Sequence, residues 1–187
     1  GLTYRVYGRV RRFGVDSERD LVRSGMADVS GTFQLAWPMV FEDVERSVEL
    51  SIVPVSTGGL RSPLISPLRS QSSSGVRPGA VVNDSRVEVP VIVEITGPIS
   101  DPVVSGPWGT LRLGLSIPAG STVVVDGFSR TAYWKNGGAV LSGVLGRRFF
   151  MSRLKLPPGS SSIQFSAGSS SGSARLKVRW RGAVQSF

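Results

Sequence analysis

The sequence predicts a mainly β protein whose second part is an antiparallel β-sandwich. Three observations carry that class. Between Thr110 and Leu141 the chain reads strand, turn, strand, short link, strand, turn, strand, with Leu111, Leu113, Leu115 and Ile117 alternating with Thr110, Arg112, Gly114 and Ser116. From Val87 onward turn-forming residues recur roughly every 8 to 12 residues, the spacing expected of a sandwich. Only Val15 to Ser24 shows a convincing turn of helix, and it is too short to carry a helical domain.

Taken in order, Leu2 to Phe13 alternates loosely and is rich in β-formers, which predicts a strand with basic residues on one side. In Val15–Ser24, Asp16 or Ser17 can cap a short helix, with Glu18 and Asp20 near its positive end. Met26 to Phe41 predicts a strand through Phe33, Leu35 and Trp37 that Pro38 ends or edges. Glu42 to Arg46 reads as an acidic link, and Val48, Leu50 and Ile52 alternate in a further strand that stops at Pro54. Ser56 to Asn83 is full of turn-formers and has no period. The expected organisation is a first domain over residues 1–70, a linker over 71–79 and a second domain over 80–187, because a Ser, Gly and Pro-rich stretch cannot repay the entropy of ordering.

In the second domain, Val87 to Thr96 is an entering strand, and Gly97-Pro98 with Asp101-Pro102 makes an irregular corner. Pro118-Ala119-Gly120-Ser121 reverses the chain into Thr122 to Val125, and Asp126 before Gly127 reads as a turn-capping carboxylate. Lys135-Asn136-Gly137-Gly138 supplies the positive-φ residues of a tight turn. Arg148 to Leu156 reads as a strand that starts with Phe149 and Phe150 in or near the core, and Pro157-Pro158-Gly159 turns it into Ser162 to Phe165. The last strand, Ala174 to Arg181, is the clearest. Leu176, Val178 and Trp180 point one way, and Arg175, Lys177, Arg179 and Arg181 the other.

Composition narrows the function. With no cysteine and no histidine, disulfides, thiolate metal sites, the usual zinc sites, a Ser-His-Asp triad and a Cys-His dyad cannot be built in one chain. The acidic residues are few and scattered, which disfavours a carboxylate-pair hydrolase. No catalytic, cofactor-binding or metal-ligating residue is assigned, and the chain is expected not to be an enzyme. No run approaches the roughly 18 apolar residues of a membrane helix. The net charge of +9 is unevenly placed: residues 1–72 hold 9 Arg and Lys against 8 Asp and Glu, whereas residues 73–187 hold 13 against 5. Such a surface can steer an acidic protein, an anionic membrane or nucleic acid.

Two clusters are candidate contact sites. The cationic face of the last strand, Arg175, Lys177, Arg179 and Arg181, is either an assembly contact for an acidic neighbour or a solvated face that discourages edge pairing. Trp108, Tyr133 and Trp134 are candidates for an aromatic platform that contacts a glycan, while Trp180 is expected in the core.

The series Val82-Asn83-Asp84, Pro90, Ile95-Thr96-Gly97-Pro98-Ile99, Asp101-Pro102, Leu115 to Gly120, Val123-Val124, Asp126, Gly137-Gly138, Leu156-Pro157-Pro158-Gly159 and Trp180-Arg181 resembles the C-terminal half of distal tail proteins of long, non-contractile-tailed bacteriophages, often called minor tail proteins. The resemblance covers about Val76 to Phe187; residues 1–70 look like the end of the same family's belt domain, truncated at its N-terminus. It implies a galectin-like jelly-roll sandwich after a small β-rich belt domain. It also implies a hexameric ring at the distal end of the tail, between the tail tube protein and the tail-tip hub or receptor-binding proteins, with no cofactor and no catalysis. The doubled proline at Pro157-Pro158 departs from the family's usual single one.

The function expected is therefore a structural component of the tail tip. The alternative is a host-recognition module that binds cell-surface glycan through its sandwich. Neither nucleic-acid binding nor membrane insertion is expected, although the basic second part keeps nucleic acid as a third reading.

Overall fold

A computed structural model describes residues 3–16, 28–52, 78–141, 143–146, 149–170 and 173–185. The described chain is almost entirely antiparallel β. It divides into two compact units, residues 1–43 with 183–187, and residues 44–182. The division differs from the expected one. The linker expected over 71–79 lies outside the described residues up to residue 77, and Pro78 and Gly79 already open a strand.

The strands are β1 (Tyr4–Arg5), β2 (Gly8–Asp16), β3 (Asp28–Leu35), β4 (Met39–Ser51), β5 (Pro78–Asn83), β6 (Val89–Thr96), β7 (Ile99–Ser100), β8 (Val103–Gly106), β9 (Gly109–Arg112), β10 (Ser116–Ile117), β11 (Thr122–Asp126), β12 (Thr131–Trp134), β13 (Lys155–Leu156), β14 (Gly159–Ser166), β15 (Ser169–Ser170) and β16 (Arg175–Gln185). Met151–Arg153 forms one 3-10 turn.

In the first unit, β1 pairs with the start of β4 through Tyr4↔Glu42 and Arg5↔Phe41, and the ring of Tyr7 meets Phe41 edge-on at 5.4 Å. β2 and β3 form a separate two-stranded ribbon. Val15 and Asp16, expected in a helix, close β2 as strand; Ser17 to Ser24 lies outside the described residues. Glu42 to Arg46 is not a link. It lies inside the 13-residue strand β4, where paired charges replace the apolar alternation the sequence reading relied on.

The second unit is built around β6. Its residues Val89, Val91, Val93 and Ile95 are fully buried, and Pro90 and Glu94 are buried on the opposite face. Such a strand must be central, because only neighbours on both edges and covered faces accommodate a continuous apolar run. Accordingly β6 pairs antiparallel with β11 (Val93↔Val125) and β16 (Val93↔Val178), and its first residues also pair with β13. The large sheet runs from the Val44–Ser51 part of β4 through β16, β6 and β11 to β12. A four-stranded sheet, β5-β14-β8-β9, and a three-stranded one, β10-β7-β15, complete the unit. Both larger sheets feed the core, with Leu176, Val178 and Trp180 from β16 and Ile163, Phe165, Val104 and Leu111 from the four-stranded sheet.

Three local readings are corrected. The run Thr110 to Ile117 is two strands rather than one: β9 pairs with β8, while β10 pairs with β7 in another sheet, and Leu115 is only half-buried between them. Pro118–Ser121 therefore carries the chain between sheets instead of closing a hairpin, although it is a turn, with Ser121 N–H donating to Pro118 O at 3.1 Å. The expected strand over Arg148–Leu156 is confined to Lys155–Leu156, and Phe150 is exposed beside the 3-10 turn.

Candidate assembly interface

The cationic face of β16 finds its acids within the chain. Lys177 Nζ lies 3.0 Å from Glu49, Arg179 Nη1 lies 3.0 Å from Glu45 and Arg181 Nη2 lies 3.3 Å from the same carboxylate. From the other side of β16, Glu94 of β6 accepts from Arg179 Nη2 at 2.5 Å and pairs with Lys135 Nζ at 3.0 Å. The strand order β4-β16-β6 thus lays Glu45 and Glu49 on one side of the basic row and the single carboxylate of Glu94 on the other. For Arg179, partial burial lowers the pKa, but the hydrogen bond to Glu45 and the charges of Glu94 and Glu45 outweigh it and leave the guanidinium above its ordinary value. Arg175 is exposed and has no ion-pair partner among the described residues. Three of the four residues proposed for an acidic neighbour are therefore already neutralised.

The three aromatics do not meet. Trp108 sits in the turn between β8 and β9, 5% exposed, packed over Gly106, where an added Cβ would lie 2.9 Å from the indole ring. It forms a wall of a cavity of about 600 Å³ shared with Glu88, Arg153, Lys155 and Pro157, and its indole N–H has no hydrogen-bond partner among the described residues. Tyr133 and Trp134 belong to β12, at the edge of the large sheet, opposite Val124 and Val123. As consecutive strand residues they face opposite sides. No common platform is formed. Asp126 caps its turn as expected, accepting from the Phe128 N–H at 2.7 Å and the Ser129 hydroxyl at 2.8 Å.

The surface that sequence reasoning missed is the β2–β3 ribbon. On β3 the residues Val29, Gly31, Phe33 and Leu35 share one face by simple alternation. On β2 the residues Val10 and Phe13 are three apart and would fall on opposite faces of a regular strand. A bulge between Val10 and Arg12 absorbs Arg11, so that Val10 lies opposite Phe33, Phe13 opposite Gly31 and Val15 opposite Val29. One face of the ribbon is then wholly apolar, and Val10, Phe13, Val15, Val29, Phe33 and Leu35 on it are 37% to 69% exposed. The reverse face carries Arg9, Arg12, Thr32 and Gln34, with Arg9 and the bulged Arg11 both donating to the Gln34 side-chain oxygen. The signal present in the sequence was the alternation from Val29 to Leu35; the doubled Arg11-Arg12 hid its counterpart.

Among the described residues no three Asp or Glu side chains gather as metal donors, and no helix is long and apolar enough to cross a membrane. No protein-family profile matches the sequence, and no curated protein sequence matches it. A solved structure does. The fold is similar to that of the Dit protein of bacteriophage SPP1, described as a paradigm of the hub adsorption apparatus in phages that infect Gram-positive bacteria, with a TM-score of 0.56 and 9% identity over 97% of this chain. The match takes in 60% of that protein, so this chain spans about three fifths of its length and shares its fold at this level of identity.

Proposed function

We propose that this chain is a structural component of a bacteriophage tail tip, placed at the distal end of the tail in a hexameric ring that joins the tail tube to the host-adsorption apparatus. The observation that carries the reading is the fold likeness to a phage hub protein along 97% of the chain, through the ribbon-bearing unit as well as the sandwich. The motif series from Val82 to Arg181 supports it independently, since it came from the sequence alone. So does the exposed apolar ribbon face, because the largest contiguous apolar patch on a soluble protein is often an interaction site.

The role is assembly rather than catalysis. In a ring, each copy contributes the same interface, so modest burial per contact is repeated around the symmetry axis, and each contact needs on the order of 1,000 Å² or more. Glycan recognition through Trp108, Tyr133 and Trp134 draws no support from the geometry, since Trp108 is 5% exposed and Tyr133 and Trp134 are consecutive residues of one strand. Mass spectrometry of tailed particles purified through a density gradient tests the reading. The chain is expected at a few copies per particle, far below the tail tube protein; its absence from washed particles would refute a structural role.

A further inference from the structure

The open cavity beside Trp108, of about 600 Å³, is in the size range of small-molecule sites. Its walls come from three separate stretches of the second unit: Glu88 just before β6, the turn between β8 and β9, and residues 152–157. Strand register decides which side chains reach it. Leu154 and Leu156 are fully buried, so Arg153 and Lys155, alternating with them, turn outward to the cavity. Leu156 pairs with Val89, which brings Glu88 beside Lys155 with their charged atoms 3.5 Å apart. The frame is held on both sides. Leu154 O accepts from the Val91 N–H at 3.2 Å, and the buried Asn83 amide donates to Val87 O and Leu156 O at 3.0 Å each. Trp108 is packed on Gly106, so a ligand entering the cavity has little of its wall to order.

The charges around this cavity do not balance. Two cations line it against one carboxylate, and that carboxylate meets Lys155 in a loose pair in which Glu88 is more than half exposed, a contact of little energy. Arg153 has no carboxylate partner among the described residues; its guanidinium lies 5.6 Å from the centre of the exposed Phe150 ring, which steadies it without neutralising it. With the Ser152 hydroxyl, the cavity presents an excess of hydrogen-bond donors next to apolar surface from Trp108 and Pro157. That donor set matches an oxyanion, because a planar guanidinium takes two oxygens of a phosphate or carboxylate side by side and an ammonium adds a further contact. A bare inorganic ion leaves most of the cavity to water, whereas an anion carried on a ring also covers the apolar wall.

We propose that this cavity binds a small organic anion, its phosphate or carboxylate held by Arg153 and Lys155 and its body against Trp108 and Pro157. The site is independent of the tail reading and stands or falls on its own chemistry.

NMR titration of the ¹⁵N-labelled full chain at fixed ionic strength tests it, with phenyl phosphate, phenylacetate and inorganic phosphate as probes. At least one of the two aromatic anions is expected to give saturable shifts at the backbone amides of residues 108–109 and 152–155, with a Kd of about 1 mM or below. Binding by phenyl phosphate alone assigns a phosphate ligand, by phenylacetate alone a carboxylate, and by both the shared oxyanion chemistry. Inorganic phosphate is expected to bind at least about fivefold more weakly, since it leaves the apolar wall unused. Arg153→Ala, at an exposed position, is expected to weaken binding about tenfold or more. Glu88→Gln is expected to tighten it about threefold, because it removes a competing negative charge and releases Lys155. Arg175→Ala removes the same charge at the other end of β6, where Arg175 pairs with Thr96, and is expected to bind like wild type. Three results overturn the proposal: no saturable local shift with either aromatic anion up to about 20 mM, an Arg153→Ala variant that binds as tightly as wild type, or an Arg175→Ala variant that weakens binding as much as Arg153→Ala does. Should Arg153→Ala lose its dispersed amide spectrum, Glu88→Gln decides: weaker binding by that variant overturns the proposal as well.

Discussion

The carboxylate of Glu94, 9% exposed, receives the guanidinium of Arg179 at 2.5 Å in the middle of the large sheet. Glu94 also holds Lys135 at 3.0 Å, but Lys135 is more than half exposed, so that second pair contributes little. Losing Glu94 leaves Arg179 with Glu45 alone. Glu94→Gln is expected to destabilise the protein by about 2 kcal/mol, less than the 3–5 kcal/mol of an orphaned buried charge because Glu45 remains. A double-mutant cycle with Arg179→Met, read by urea denaturation, should give a coupling of about 1 kcal/mol or more. Additive effects would show that the pair is structurally present and energetically idle.

The pH dependence of that contribution has a defined sign. Arg179 has a folded-state pKa above its unfolded one, so its stabilisation is fully present below the unfolded value and is lost only as pH rises through the raised value. The stability difference between wild type and Arg179→Met should therefore stay constant between about pH 7 and pH 10, where arginine and carboxylates keep their charges. Isothermal denaturation at several pH values checks this. A difference that shrinks within that range would mean that some other titrating group governs the site.

Asn83 ties a loop to two sheets. It is buried, its amide donates to Val87 O and Leu156 O at 3.0 Å each, and its side-chain oxygen accepts from the Ser85 N–H at 3.1 Å. Asn83→Ala leaves these backbone groups without that partner, at a cost of about 3 kcal/mol. The denaturation midpoint should fall with an unchanged m-value. Asn83→Asp should not rescue it, since a carboxylate cannot donate to two carbonyls.

Gly127 is required by close approach. A Cβ there would lie 2.7 Å from both Leu154 O and Val91 O, while the Gly127 N–H donates to Val91 O at 2.9 Å. Gly127→Ala must push two backbone carbonyls apart at the seam between β11 and β6 and is expected to cost about 2 kcal/mol or more. Gly114→Ala, where a Cβ meets nothing within 4 Å, is the control and should fall within about 0.5 kcal/mol of wild type. Equal melting temperatures for the two variants would contradict the packing around Gly127.

What could be read from the residues alone was what depends on one strand at a time. Leu176, Val178 and Trp180 alternate with charged residues because β16 has a dry face and a charged one, and both assignments agree with the burial observed. Asp126 was legible because a turn cap bonds amides only two or three residues away. Pairings across the sheet were not. The carboxylate that Arg179 and Arg181 share is that of Glu45, about 135 residues earlier in a segment that its own charges disguised as a link. Leu115 carried the alternation of Leu111 and Leu113 through a point where the chain changes sheets, which no local period records. The apolar face of the ribbon was hidden by a single bulged residue, Arg11, which breaks the period of two on β2 while preserving the face in space.

Antibody labelling of intact particles viewed by electron microscopy tests the proposed tail-tip role most directly. Antibodies raised against the full chain and coupled to gold are expected to label the end of the tail away from the capsid, with the capsid and tail shaft bare. Label spread along the shaft, or intact particles that carry no label at the tail end and whose disrupted tails contain none of this chain, would contradict the account.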